Sequence, residues 1–154
     1  MNRHRRTFLQ GATSAGLVAT AIAAGLLKPG QVLADWNAAG FGATKTADAL
    51  AAIGGSGAAE SKDITIKAPD IAENGAVVPV EVVTTLPNVE SIAILGEKNA
   101  NPLIAQYMLT DFDGTLATRM RMGQTANVRA VVKAGGKVYT AAKEVKVTVG
   151  GCGG

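Results

Sequence analysis

The clearest order along this chain is a period of two. Val145, Val147 and Val149 alternate with Lys146 and Thr148, and Leu116, Thr118, Met120 and Met122 alternate with Ala117, Arg119 and Arg121. Successive side chains of an extended strand point to opposite faces, so this alternation predicts strands with one buried and one solvated face. From Lys62 onward, short runs of this kind recur with turn residues between them. Residues 63–67 alternate until Pro69-Asp70 interrupts them, and Asn74-Gly75 is a strong turn signal. The Val-rich run 76–86 holds Pro79, which lacks an N–H for a sheet ladder and so points to an edge strand or a bulge. Runs 89–95, 103–109, 116–122, 125–133 and 137–149 complete the set, with turns at Pro87-Asn88, Asp111 to Gly114 and Gly135-Gly136. About seven short strands at this spacing predict an all-β fold, an immunoglobulin-like antiparallel β-sandwich.

Residues 35–61 read differently, being rich in Ala and Gly. Residues 46–53 predict a short helix with Leu50 and Ile53 on one face and Gly54-Gly55 ending it. So short a helix is unstable alone and must pack on the sheet. Trp36 and Phe41 are expected to pack against the domain or a partner, and Met108, Met120 and Met122 are expected in the core. Asp111 and Asp113 read as turn residues rather than a calcium loop, because the remaining ligands of such a loop are missing.

The N-terminus changes the picture of charge and compartment. Arg5-Arg6-Thr7-Phe8-Leu9 resembles the twin-arginine export signal, whose pattern is Arg-Arg-x-Phe-Leu. A mild apolar stretch, 11–27, follows, and Val32-Leu33-Ala34 gives a plausible cleavage site after Ala34. An uncut basic membrane anchor is the competing reading of the same residues. The expected organisation is therefore a signal peptide at 1–34, one domain at 35–149 and a terminal arm at 150–154, with a periplasmic destination and no permanent membrane anchor. Twin-arginine cargo folds before export, which suits a partner assembled beforehand.

Across all 154 residues the formal charge is +3. Four of the fifteen Lys and Arg residues precede Ala34, leaving eleven against twelve Asp and Glu, a balance of −1. The basic excess thus belongs to the leader, and a nucleic-acid partner is not expected. The one histidine, His4, lies in the leader as well. A mature chain with no His and one Cys cannot build a His-based zinc site or a Cys-His or Ser-His-Asp pair by itself. No cofactor motif is visible, and no enzyme activity is expected.

What remains is Cys152, set in the terminal run Gly150-Gly151-Cys152-Gly153-Gly154. Glycine has no Cβ and allows almost any backbone geometry, so an arm of this composition is expected to be mobile until a partner holds it. Its missing side chains also keep it thin enough for a narrow channel. An unperturbed thiol has a pKa near ~8.5 and is mostly protonated at neutral pH. With no histidine in the mature chain, the tail does not activate itself, and activation must come from partner proteins or from oxidising Cys152 onto a substrate. This pattern predicts a covalent carrier rather than an autonomous catalyst.

The terminal Gly-Gly-Cys-Gly-Gly resembles the carrier motif of the SoxY family of the bacterial thiosulfate-oxidising Sox system. The segment from Ala68 to Val80, read as APDIAENGAVVPV, is similar to that family's IAENG-xx-PV stretch, and the twin-arginine leader fits too. The resemblance implies an immunoglobulin-like fold, a periplasmic location and a heterodimer with SoxZ. It implies that Cys152 carries substrate sulfur as a covalent adduct on the arm formed by Gly150, Gly151, Gly153 and Gly154. It further implies transient partners: the SoxXA cytochrome coupling thiosulfate to the thiol, the SoxB hydrolase releasing sulfate, and in some organisms a sulfane dehydrogenase. Two rival readings remain: a thiocarboxylate carrier using the terminal Gly-Gly, which the export signal and sandwich pattern oppose, and a structural or adhesive sandwich.

The leader generates the first prediction. Replacing both Arg5→Lys and Arg6→Lys should leave precursor in the cytoplasm and strip the periplasmic fraction of the protein, as seen by immunoblotting. Undiminished periplasmic protein would refute the signal assignment.

Overall fold

Alternating apolar residues fold as the pattern requires, in strands that bury one face. The computed structural model describes residues 36–148. The sequence readings at Arg5, Arg6, Phe8, Leu9 and Ala34, and those at Gly150, Gly151, Cys152, Gly153 and Gly154, lie outside the described residues. Within them run two short helices, α1 (Ala38–Gly42) and α2 (Thr46–Ala52). Nine strands follow: β1 (Ala59–Glu60), β2 (Ile64–Lys67), β3 (Ile71–Ala72), β4 (Val78–Thr84), β5 (Val89–Gly96), β6 (Leu103–Met108), β7 (Thr115–Met120), β8 (Ala126–Ala134) and β9 (Lys137–Val147).

The expected immunoglobulin-like sandwich is present, and its seven longer strands are those the alternation marks. One sheet has the order β1-β9-β8-β5-β6, with β3 also on β9, and the other has β2-β4-β7. The long pairings are antiparallel, but β1 and β3 each pair parallel with β9. These two additions to the antiparallel sandwich left no mark in the sequence, because a two-residue strand is too short to show any period. Ile64, Ile66, Val78, Val80, Val82 and Met120 from the small sheet interlock with Ile92, Ile94, Val128, Val132 and Val145 from the large one. Interiors of this kind pack at crystal-like density, so each methylene matters.

The large sheet is also covered on its other face. Ala93, Leu95 and Val131 form a second apolar cluster with Ala49 of α2, and Phe41, Leu50 and Ile53 pack against it. β5 is therefore buried on both faces, from Ala93 on one side and Ile92 and Ile94 on the other. The helix expected at 46–53 forms over Thr46–Ala52. Asn37 caps α1 by accepting from Gly40 N at 2.9 Å, and its Nδ2 donates to Ala52 O and Gln106 Oε1. Gly40 is required by proximity: a Cβ there would lie 2.8 Å from Leu103 Cδ2. Glu97 joins helix to sheet, since its carboxylate meets Arg129 at 2.7 Å and its carbonyl accepts from Thr46 Oγ1. At the far hairpin, Gly135 and Gly136 take positive φ of 56° and 73°, and Glu90 accepts from Gly136 N and pairs with Lys133. Those two partners, Lys133 first, hold the Glu90 carboxyl below the usual carboxylate range.

Two expectations are corrected. β4 is the centre of its sheet rather than an edge. β2 pairs with it only as far as Lys67↔Glu81, so at Pro79 β4 has a neighbour on one side alone. Thr84 N donates to Gly114 O beside β7, and Thr85 N donates to Asp63 O beside β2. By alternation Pro79 faces the β2 side, where that strand has already ended, and its missing N–H leaves no gap in the ladder. Met108 is not core but 76% exposed, because it ends β6 beyond the covered part of the sheet. Met120 and Met122 are buried as expected.

Truncating the core tests this packing. Ile92→Ala should lower unfolding stability by about 2–5 kcal/mol in denaturant titration. A loss under about 0.5 kcal/mol, as for an exposed site, would contradict the interlock.

Candidate functional site

The described part of the site is the end of β9 through Thr148, the stretch that precedes the glycine-flanked cysteine in the sequence. β9 pairs with β8 through Ala126↔Val145, where β8 begins, and Val145 is fully buried in the main core. Beyond that point a strand would ordinarily fray. Here it is gripped from both sides. On one side, Val147 N donates to Thr125 Oγ1 at 2.9 Å. On the other, Lys146 N donates to Asp70 O at 3.0 Å and Thr148 N to Ala72 O at 3.1 Å, the bonds of the parallel β3 pairing. Thr148 Oγ1 adds a bond to Glu73 O at 3.1 Å.

The segment supplying these acceptors is itself fixed. Lys143 Nζ donates to Ala68 O and pairs with Asp70 at 3.0 Å, tying the start of the segment to β9. Asn74 Oδ1 accepts from Ala76 N at 2.8 Å, closing the turn its Asn-Gly sequence announces. Gly75 O accepts from Met122 N at 2.7 Å, joining the turn to the end of β7. Ala72, Gly75 and Val78 point inward, while Ile71, Glu73, Asn74, Ala76 and Val77 are exposed. The stretch that the sequence singles out as Ile71-Ala-Glu-Asn-Gly75 is therefore the socket of the arm. Its sequence signals were the Asn-Gly turn and the likeness to the family's IAENG-xx-PV stretch; the parallel pairing with β9 carries no period to read.

Cys152 lies outside the described residues, but covalent geometry bounds its position. Three residues lie between it and Thr148, so the chain path from that anchor is at most about 13–14 Å, four steps of about 3.3–3.6 Å. Among the described residues no group of three His, Cys, Asp or Glu side chains comes together. An open groove of about 830 Å³ on the small sheet is lined by Pro79, Arg119 and the Lys67–Glu81 ion pair. No described helix is long and apolar enough to cross a membrane.

Residues 49–152 match the family described as sulfur oxidation protein SoxY, a match that reaches Cys152. Among solved structures, the sulfur carrier protein SoxY from Chlorobium limicola f thiosulfatophilum is 45% identical, over 73% of this chain and 100% of that one, with a TM-score of 0.62. A superoxide reductase (neelaredoxin) from Ignicoccus hospitalis is 17% identical, over 58% of this chain and 82% of that one, with a TM-score of 0.50, a likeness of fold alone. No curated protein matches.

The socket can be tested directly. Thr148→Val keeps the side-chain volume and removes the bond to Glu73 O. A neutral hydrogen bond contributes about 0.5–1.5 kcal/mol, so amide exchange at position 148 should quicken by roughly 2- to 10-fold. Unchanged protection would show that the hydroxyl takes no part in the anchor.

Proposed function

Because the chain belongs to the SoxY family of sulfur oxidation proteins, we propose that it is a periplasmic covalent carrier of sulfur-oxidation intermediates, bound through Cys152. The observation that carries this reading is the joining of a firmly held strand end to a terminal Gly-Gly-Cys-Gly-Gly run. Support also comes from the related structure, which is named as that of a sulfur carrier protein.

In this reading the domain is a handle and the thiol is the cargo site. Loading joins the outer sulfur of thiosulfate to Sγ; the thiol proton is released and two electrons pass to the SoxXA cytochrome. The product is a cysteine S-thiosulfonate. SoxB then adds water across the bond to the sulfonate group, releasing sulfate and one proton and leaving a persulfide, –S–SH, on Cys152. Where a sulfane dehydrogenase is present, it oxidises that remaining sulfur. The chain contributes no imidazole base to any of these steps, having no His after the leader. Thiolate formation falls to the partner pockets, where a nearby cation or an exclusion of water shifts a thiol from its usual pKa. SoxZ would form the stable heterodimer, and export through the leader at 1–34 would carry the pair to its substrate.

Intact-mass analysis of protein from thiosulfate-grown cells should show sulfur adducts on Cys152. Cys152→Ser should lose the adducts and abolish thiosulfate-dependent oxidation while the fold is kept. A modified terminal carboxyl would instead indicate a thiocarboxylate carrier. Full activity of Cys152→Ser would leave only a structural sandwich.

A further inference from the structure

The turn between β3 and β4 holds the only Asn-Gly pair of the chain, and that pair has a chemistry of its own. We propose that Asn74 is a modification site, where the side-chain amide is lost through a cyclic imide closed by the Gly75 nitrogen, leaving isoaspartate in the main chain. The reaction consumes water alone, and it stands or falls independently of the carrier reading.

Three features of the turn favour ring closure. Asn74 is exposed, so water reaches its amide. The next residue has no Cβ, so nothing crowds the approach of its nitrogen to Asn74 Cγ. Asn74 Oδ1 already accepts from Ala76 N at 2.8 Å. A donor in that place polarises the amide carbonyl and stabilises the charge that develops on its oxygen as the nitrogen attacks. The other asparagines among the described residues lack this set. Asn101 precedes Pro102, whose nitrogen has no hydrogen to lose. Asn88 and Asn127 precede β-branched valines. Asn37, Asn99 and Asn127 have their side-chain nitrogens held by Ala52 O, Arg121 O and Glu97 Oε2.

In the first step Gly75 N loses its proton to water and bonds to Asn74 Cγ, the Cγ–Nδ2 bond breaks, and ammonia leaves. Water then opens the ring on one of two sides. Cleavage between Cγ and the Gly75 nitrogen gives aspartate on an unchanged main chain. Cleavage between the Asn74 carbonyl carbon and that nitrogen gives isoaspartate, with the main chain now running through Cβ and Cγ. Overall, one amide and one water become one carboxylate and one ammonium ion. The isoaspartate lengthens a turn whose two ends are pinned, Ala72 to Val147 and Val78 to Met120. The added carbon is therefore taken up inside the turn, where Gly75 O accepts from Met122 N at 2.7 Å. Modification thus releases the end of β7 from the turn.

The test holds the mature full-length chain, folded, in neutral buffer made with heavy-oxygen water, and maps the label by peptide mass spectrometry. Heavy oxygen should enter at position 74 and at no other asparagine over the same time, with isoaspartate identified by electron-transfer fragmentation. Asn74→Gln, which can close only a larger ring, should lose the label. The isoaspartate form, separated by its added negative charge, should exchange the Met122 amide roughly 2- to 10-fold faster, as for the loss of one hydrogen bond. Asn74→Asp, with the same charge and the original main chain, should keep wild-type exchange there. An intact Asn74 amide in the folded chain, equal labelling at Asn127, or aspartate as the sole product would each overturn the proposal. Wild-type exchange at Met122 in the isoaspartate form would overturn it as well.

Discussion

Backbone polar groups taken from water must find partners, and β9 shows how strictly this chain meets that demand. At eleven residues it is the longest strand. Along one edge it pairs with β8 at every position from Lys137 to Val145. A full partner on the other edge would bury the chain end inside a sheet. Instead that edge is covered in two short parallel pieces, β1 near Tyr139 and β3 near Lys146. These blunt an edge that would otherwise invite pairing with another chain. The second piece holds the chain as far as Thr148, the last described residue.

Scaffold and chemistry are thereby separated. The sandwich draws its cohesion from branched aliphatic side chains, and its charged groups are largely occupied in fixing local structure. Glu97 with Arg129 locks the helical layer to the large sheet, Glu90 with Lys133 secures a hairpin, and Lys143 with Asp70 fastens the socket. In the carrier reading, the reactivity of the thiol is then set by the partner pockets it meets, which suits one sulfur atom undergoing chemically different steps in turn.

Most of the fold was legible because burial imposes a period. Seven strands, the helix at α2 and the inward set on β7 all follow from which residues face the core. Pro79 misled because strand order is not written locally: its missing N–H is harmless in a central strand whose neighbour ends early. Met108 misled because hydropathy says nothing about whether the sheet continues over a position. In the candidate site, the cysteine and its glycines were visible at once, since composition alone marks them. The socket was not. Its contacts with β9 span some seventy-five residues of sequence, as between Thr148 and Glu73, and use carbonyl oxygens that every residue type supplies.

A tethered thiol gains by being anchored close to a docking surface. Once a partner binds the body, capture of the thiol becomes intramolecular, with an effective concentration on the order of millimolar for a short linker. Lengthening the tether would dilute this advantage and let the thiol meet its counterpart on another carrier. Shortening it would keep the thiol from the bottom of any pocket. In the carrier reading, glycine on both sides of the cysteine lets so narrow an arm enter a narrow pocket, and the bonds of Thr148 to Ala72 O and Glu73 O fix the point from which the tether length is counted.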